Sequence, residues 1–119
     1  MKNFIGRFYF KLTDSKNLIG EFSNPTDGRI YVESADRISQ DVKGNFVGKY
    51  YHTWCHFNEK DNVESVLAKL TITPKSTNIF SLKWEIQNDE HGELWGEGML
   101  CDGMLIGDYR NFKDIPTAL

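Results

Sequence analysis

The chain lacks long runs of apolar residues and long runs of basic residues. No segment approaches the roughly 18 consecutive apolar residues that a membrane-spanning helix needs, and residues 1–7 contain no apolar run long enough for a signal peptide. Basic residues are isolated and the net charge is −3 at pH 7, whereas nucleic-acid binders usually present a basic face or a basic run. The sequence therefore predicts a cytoplasmic protein whose partners are neither nucleic acid nor membrane.

Cysteine is also scarce, because Cys55 and Cys101 are the only two in the chain. Two cysteines permit one disulfide, but an intracellular compartment keeps thiols reduced. We therefore expect free thiols that behave as small buried hydrophobic side chains, with a single disulfide as the alternative.

Recognisable catalytic and metal-binding motifs are missing as well. The glycines are scattered through strand-like runs and form no phosphate-binding loop, and no nucleophile stands beside a partner base. His52, Cys55 and His56 come closest to a metal cluster. On a strand, however, positions 52 and 56 are about 13 Å apart, which is too far for one zinc ion. The sequence predicts no catalytic residue, no metal and no cofactor.

Four carboxylates on neighbouring strand-like runs deserve comparison with a glycosidase pair of acid and base. They are Glu85, Glu93, Glu97 and Asp108. Barrel walls often carry such charges, and Lys83 and Arg110 are available as cross-strand partners. Exposed ion pairs are therefore the favoured interpretation.

Strict alternation of apolar and polar residues is the strongest positive signal. It runs through residues 66–73 and 79–87, and the second run places Phe80, Leu82 and Trp84 on one face, as half-buried antiparallel strands require. Turn-forming residues separate such runs at short intervals, and Asp102-Gly103 is the clearest hairpin turn. Residues 45–57 carry aromatics on both parities, which a bulge would explain. Residues 34–40 are compatible with a short helical turn.

A seven-residue segment occurs twice, as LIGEFSN from Leu18 and as LIGDYRN from Leu105. The repeat predicts two equivalent strands in which a glycine occupies a tight bend where a side chain would clash; an ancestral duplication is the alternative. Gly96 and Gly98 lie two residues apart and so share one face, which favours a sheet that coils into a small barrel.

The C-terminal half resembles the repeating strands of calycin-like barrels, the superfamily of lipocalins, fatty-acid-binding proteins and avidin-like proteins. The resemblance lies in residues 70–73, 80–84, 96–100 and 105–109. It implies a cup whose interior holds a small apolar ligand. We therefore predict a single domain over residues 1–119, an all-β antiparallel up-and-down barrel of about eight strands.

Aromatic residues are the best candidates for a ligand wall, since tryptophan combines a large apolar area with one N–H donor. The predicted ligand-binding residues are Tyr50, His52, Trp54, Trp84, Trp95 and Tyr109. Non-catalytic binding of a small apolar or aromatic molecule is the leading hypothesis. The alternative is a protein-interaction or homo-oligomer-forming module with Trp95 and Met99 as exposed anchors, and an enzyme comes third.

Overall fold

A computed structural model describes residues 3–38, 45–58, 60–87 and 92–113, which form a closed antiparallel barrel. Its strands are β1 (Ile5–Leu12), β2 (Leu18–Ser23), β3 (Ile30–Arg37), β4 (Gly48–Phe57), β5 (Val63–Ser76), β6 (Ile79–Ile86), β7 (Glu93–Cys101) and β8 (Met104–Arg110). Each strand pairs with the next, and β8 pairs with β1. The predicted all-β, up-and-down barrel is confirmed. The ends of the predicted domain, residues 1–2 and 114–119, lie outside the described residues.

Alternation along the strands places one set of side chains inside the barrel. Phe80, Leu82 and Trp84 of β6 are buried, and so are Ala68, Leu70 and Ile72 of β5. Because successive side chains on a strand point to opposite faces, the polar residues between them reach the outer surface. Among the described residues no helix is long and apolar enough to cross a membrane.

Two local expectations are wrong. Residues 34–37 belong to β3 and not to a helical turn, because all four pair with β4 and the first two also pair with β2; residues 39–40 lie outside the described residues. The long run at residues 45–57 contains no bulge, since β4 stays in register with β5 along its whole length. The register shift lies instead between Pro74 and Ser76 of β5, where proline cannot donate a ladder hydrogen bond.

The repeated segment forms β2 and β8, which flank β1 on its two sides. Both glycines are close-approach positions, as predicted. A Cβ on Gly20 would lie 1.9 Å from the carbonyl oxygen of Tyr9, and one on Gly107 would lie 2.0 Å from that of Glu97. The strands therefore approach each other at these bends more closely than a side chain permits.

The Asp102-Gly103 hairpin forms as predicted. Both residues have positive φ, 53° and 78°, and Cys101 pairs with Met104 across a two-residue loop. This combination of angles matches the right-handed twist of the flanking strands.

One end of the barrel, here called the filled end, is closed by side chains. Its buried residues are Phe10, Leu18, Ala35, Phe46, Tyr50, Leu70, Ile72, Phe80, Leu82 and Leu105. Arg37 closes this end by donating hydrogen bonds of 2.8 Å to the carbonyl oxygens of Lys16, Asn45 and Val47. Its guanidinium also lies 4.8 Å from the centre of the Tyr50 ring, so one side chain joins two loops to the core.

Both cysteines are free, and both are exposed. The expectation that they are buried is wrong for a simple reason. Cys55 and Cys101 occupy strand positions whose side chains point outward.

Candidate functional site

The opposite end of the barrel, here called the hollow end, contains a cavity of about 820 Å³. Each of the eight strands contributes at least one side chain to the cavity wall or its rim. The cavity is lined by Phe4, Phe8, Phe22, Asn24, Thr26, Glu33, His52, Trp54, His56, Glu64, Ser65, Val66, Trp84, Ile86, Leu94 and Tyr109. Small-molecule pockets have volumes of about 300–1,000 Å³ and mostly apolar and aromatic walls, so this cavity has the size and character of a ligand site.

Aromatic rings on the cavity wall pack against one another. Phe22 lies 5.5 Å from Tyr31, 6.0 Å from Trp54 and 5.9 Å from Tyr109, measured between ring centres. On the other side, Phe8 meets Trp84 edge to face at 5.8 Å. Such edge-to-face and stacked pairs are favourable arrangements of ring quadrupoles. Contacts between neighbouring rings therefore fix their positions, and the centre of the barrel stays open at this end.

Tyr109 shows how the sequence positions one of these rings. A Cβ on Gly6 would lie 2.2 Å from the Tyr109 ring, so the glycine of β1 leaves the space that the ring occupies. The Tyr109 hydroxyl donates a 2.7 Å hydrogen bond to the carbonyl oxygen of Ser23. Burial, reinforced by the nearby carboxyl of Glu33, raises the pKa of Tyr109, which keeps the hydroxyl protonated.

Glu33 and His52 form a buried polar pair on the cavity wall. Glu33 is 6% exposed and His52 is 3% exposed, and Glu33 Oε1 lies 3.7 Å from His52 Nε2. That separation exceeds hydrogen-bonding distance. Glu33 Oε1 and both ring nitrogens of His52 have no hydrogen-bond partner. Buried polar atoms normally have partners, so this pair is an exception that requires a reason.

Burial favours the uncharged form of both groups. It raises the pKa of Glu33 to about 8 and lowers the pKa of His52 to about 3. The separation of 3.7 Å falls within ion-pair range. We nevertheless assign a neutral pair, because the two groups share no hydrogen bond that would compensate the cost of two buried charges.

The rim of the cavity includes a place where two strands separate. Paired positions between β3 and β4 run from Arg37–Tyr50 to Glu33–Trp54 and end there, although β3 begins at Ile30 and β4 continues to Phe57. We call this opening the β3–β4 gap. Side chains cover it: the Tyr31 hydroxyl contacts the Asp27 carboxylate and accepts a 3.4 Å hydrogen bond from the backbone N–H of Phe57.

A histidine and a carboxylate lie at the mouth of the cavity. His56 Nε2 is 3.4 Å from Glu64 Oε2, with side chains 26% and 52% exposed. Water screens such an exposed pair, in contrast to the buried pair formed by Glu33 and His52.

The structure brings together four of the six predicted ligand-binding residues. His52, Trp54, Trp84 and Tyr109 line the cavity. Tyr50 is fully buried at the filled end, where its hydroxyl donates a 2.6 Å hydrogen bond to the carbonyl oxygen of Phe46. Trp95 is half-buried on the outward side of β7, paired with Lys83 and Arg110 of the flanking strands. Neither Tyr50 nor Trp95 lines the cavity.

The other features considered in the sequence do not form a reactive centre. Cys55 lies on the outward side of β4, and no group of three His, Cys, Asp or Glu that could hold a metal ion occurs among the described residues. Three of the four barrel-wall carboxylates form ion pairs with basic side chains. The nitrogen–oxygen distances are 4.0 Å for Lys83–Glu93, 2.7 Å for Lys75–Glu97 and 3.2 Å for Arg110–Asp108.

Glu33 is the buried polar residue of the cavity wall that sequence reasoning missed. In β3 the apolar residues Ile30 and Val32 are 62% and 73% exposed, whereas Tyr31, Glu33 and Ala35 point inward. The side chains still alternate between the two faces, but the face that carries Ile30 and Val32 points outward. The available signal was the parity shared by Glu33 with Tyr31 and Ala35, and nothing local to the strand shows which parity faces inward.

No protein-family model matches the chain, and neither a curated protein nor a solved structure shows significant similarity to it.

Proposed function

We propose that this protein is a calycin-like barrel that binds one small apolar or aromatic molecule without catalysis. The observation that carries the proposal is the cavity of about 820 Å³ with a partnerless polar pair, Glu33 and His52, on its aromatic wall. Eight-stranded barrels have room for side chains or for one small ligand. Buried polar atoms without partners lose free energy unless something bonds to them, and a ligand would supply the missing bonds.

Native mass spectrometry of protein purified without refolding is the first experiment. We expect additional mass that is lost on denaturation, because a retained ligand dissociates when the barrel opens. The identity of that mass gives the ligand class directly.

A defined probe makes the proposal independent of what survives purification. We expect 1-naphthalenemethanol, an uncharged aromatic alcohol, to bind with a stoichiometry of one and to quench tryptophan fluorescence. Trp54→Ala removes a lining ring and should weaken binding about tenfold, the effect of losing a stacked aromatic contact. Trp95→Ala is the matched control, since it removes a tryptophan that lies outside the cavity.

Equal binding by the Trp54→Ala variant and the wild type, with both proteins folded by circular dichroism, would contradict the proposal. So would an absence of saturable binding to the wild type. A loss of binding that is the same in both tryptophan variants would place the probe outside the cavity and would also count against it.

Self-association is a second candidate function, which a specific observation favours. On the outer face, Ile79, Met99 and Ile106 occupy paired positions of three adjacent strands, and Met99 is 53% exposed. An apolar stripe of this kind is suited to an interface between copies. Analytical ultracentrifugation over a wide concentration range tests it: Met99→Lys should shift a dimer to monomer, and a wild type that is monomeric at every concentration would rule it out.

A further inference from the structure

We infer that the ligand is an organic amine, bound as its ammonium ion against Glu33 with its apolar body among the rings of the hollow end. The inference rests on the proposed function and adds a ligand class to it. It follows from the charges on the cavity wall, from the position of Glu33, and from the surrounding rings.

The described lining residues of the cavity include acidic side chains but no strongly basic ones. Two carboxylates, Glu33 and Glu64, line it, and none of the described lining residues is a lysine or an arginine. A carboxylate or phosphate ligand would therefore meet no fixed cation in a site where charge is poorly screened. An ammonium ion would meet the exposed carboxylate of Glu64 at the mouth and the buried carboxyl of Glu33 further in.

Arg29 and Arg110 each contact an aspartate outside the cavity. Arg29 lies at the rim, with its guanidinium 4.6 Å from the centre of the Phe57 ring and 3.9 Å from Asp61. Arg110 makes a 3.2 Å contact with Asp108. Neither residue lines the cavity, so neither supplies the counter-ion that an anionic ligand would need.

Glu33 offers an acceptor that nothing in the described structure uses. Its Oε1 is buried and has no partner, and the two partnerless nitrogens of His52 lie beside it. An ammonium group has only donors. It can donate one N–H to Glu33 and a second to whichever His52 nitrogen is unprotonated, which satisfies atoms that otherwise remain unpaired.

Aromatic rings around Glu33 favour the same charge. Trp54 is its direct partner across β3 and β4, and the His52 ring lies 4.9 Å from the Trp54 ring, between centres. Phe22 meets Trp54 edge to face at 6.0 Å. The faces of such rings carry negative charge density and attract cations, so the wall that solvates an apolar body also stabilises an ammonium ion.

Binding an ammonium ion must change the protonation of Glu33. The titratable groups that face it are His52 on β4 and Tyr109 on β8, with His56 and Glu64 at the mouth and Tyr9 on β1 beyond the wall. Burial raises the pKa of Glu33 to about 8, so at pH 7 its carboxyl is protonated in the empty site. An arriving cation ionises it, and the proton goes to solvent because burial also lowers the pKa of His52 to about 3.

A matched set of probes tests the inference: 1-naphthylmethylamine, 1-naphthalenemethanol and 1-naphthoate share one ring system and differ in charge. By isothermal titration calorimetry at pH 7 we expect the amine to bind about tenfold more tightly than the alcohol, the effect of a hydrogen bond to a charged group, and the naphthoate to bind more weakly than both. Titrations in buffers of different ionisation enthalpy should show release of close to one proton with the amine and none with the alcohol.

Glu33→Gln should remove both the amine preference and the proton release while leaving alcohol binding within about twofold, since glutamine resembles the protonated carboxyl in shape. Glu93→Gln is the matched control, because it makes the same substitution on the outer wall at the hollow end, outside the cavity, and should leave the preference intact. Thermal unfolding establishes that both variants fold. The proton count on the unmodified protein provides a test that needs no variant.

The outcomes separate this inference from the proposed function. Equal or tighter binding of naphthoate, absence of proton release, or an amine preference that Glu33→Gln leaves intact would overturn the amine assignment while alcohol binding still supported a ligand cavity. Failure of all three probes to bind would overturn both.

Discussion

The filled and hollow ends of the barrel are built from the same eight strands and the same alternation, yet only one of them is solid. At the filled end, branched aliphatic side chains from several strands meet, and Phe46 enters from the segment before β4. At the hollow end, rings such as Phe22 and Trp54 contact each other along the wall and leave the centre open. Alternation therefore decides which side chains point inward, whereas their shapes and mutual contacts decide whether they meet in the middle.

The largest expected difference between the ends concerns two phenylalanines. Phe10→Ala at the filled end should reduce the free energy of unfolding by about 3–5 kcal/mol, because Phe10 is fully buried and its loss leaves a cavity in a close-packed region. Phe22→Ala at the hollow end should cost distinctly less, since one side of that ring already faces open space. Urea unfolding of the two variants measures the difference, and equal losses would show that the hollow end is packed in solution.

Arg37 provides the next test, because it closes the filled end and has no counterpart among the residues lining the hollow end. Arg37→Met keeps much of the apolar stem but removes three hydrogen bonds to carbonyl oxygens. We expect a loss of about 2–3 kcal/mol in the free energy of unfolding, the range for hydrogen bonds from a charged donor. Hydrogen exchange should rise in the residue 45–47 segment and not at the β3–β4 gap; a uniform rise would mean that Arg37 does not act locally.

The buried pair of the hollow end predicts a pH dependence of stability. Glu33, with its pKa raised from 4.5 to about 8, binds more protons in the folded state, so stability falls as pH rises through that range. His52, with its pKa lowered from 6.5 to about 3, binds fewer protons when folded, so stability rises with pH over its own range. The two effects oppose each other between pH 4.5 and 6.5 and leave a plateau.

Above that plateau only the Glu33 effect remains. We expect the free energy of unfolding to fall by about 2 kcal/mol between pH 6.5 and pH 8, since one pKa unit corresponds to about 1.4 kcal/mol. Glu33→Gln should abolish this decrease and retain the loss of stability at acid pH. Chemical denaturation at a series of pH values is the measurement, and an unchanged alkaline decrease in the variant would assign it to another group.

The smallest expected effects lie on the outer wall, where the two ends should not differ. Lys75–Glu97 lies outside the filled end at 2.7 Å, and Lys83–Glu93 lies outside the hollow end at 4.0 Å. All four side chains are well exposed, so each pair should contribute less than about 1 kcal/mol. Double-mutant cycles should give similar small values that decrease with salt. A large value at one end alone would show that the difference between the ends extends beyond the interior.

Most of the fold could be predicted from the sequence because its signals are local. Alternation in β6, the Asp102-Gly103 turn and the glycines of the repeated segment each specify a conformation through their immediate neighbours. The site was less accessible to sequence reasoning, because it depends on which face of each strand closes inward. Glu33 illustrates this: Ile30 and Val32 are the apolar residues of β3, yet they lie outside, and only pairing with distant strands determines that choice.

Tyr50 and Trp95 show the second reason. Both are aromatic and lie in correctly predicted strands, but Tyr50 points to the filled end and Trp95 to the outer wall. Tyr50 is excluded by its position along the barrel axis, which depends on the stagger between strands and is not encoded in any short segment; Trp95 is excluded because its strand face points outward. Residue type alone gave six candidate aromatic residues, and the fold places four of them in the cavity wall.

At the β3–β4 gap we expect the barrel to open locally at a rate that its free energy of unfolding does not determine. Beyond Glu33–Trp54 the two strands are joined by side-chain contacts such as that of Tyr31 with the backbone of Phe57. Tyr31 is buried, so the fast rotamer changes of exposed side chains do not apply to it, and loop motions in nanoseconds to microseconds are the ones that move its neighbours. Such motions widen the gap without the rupture of a strand ladder, because the pairing of β3 with β4 ends at Glu33–Trp54. If the cavity binds a ligand as we propose, the gap gives that ligand a route of exchange besides the mouth, independent of how slowly the barrel unfolds.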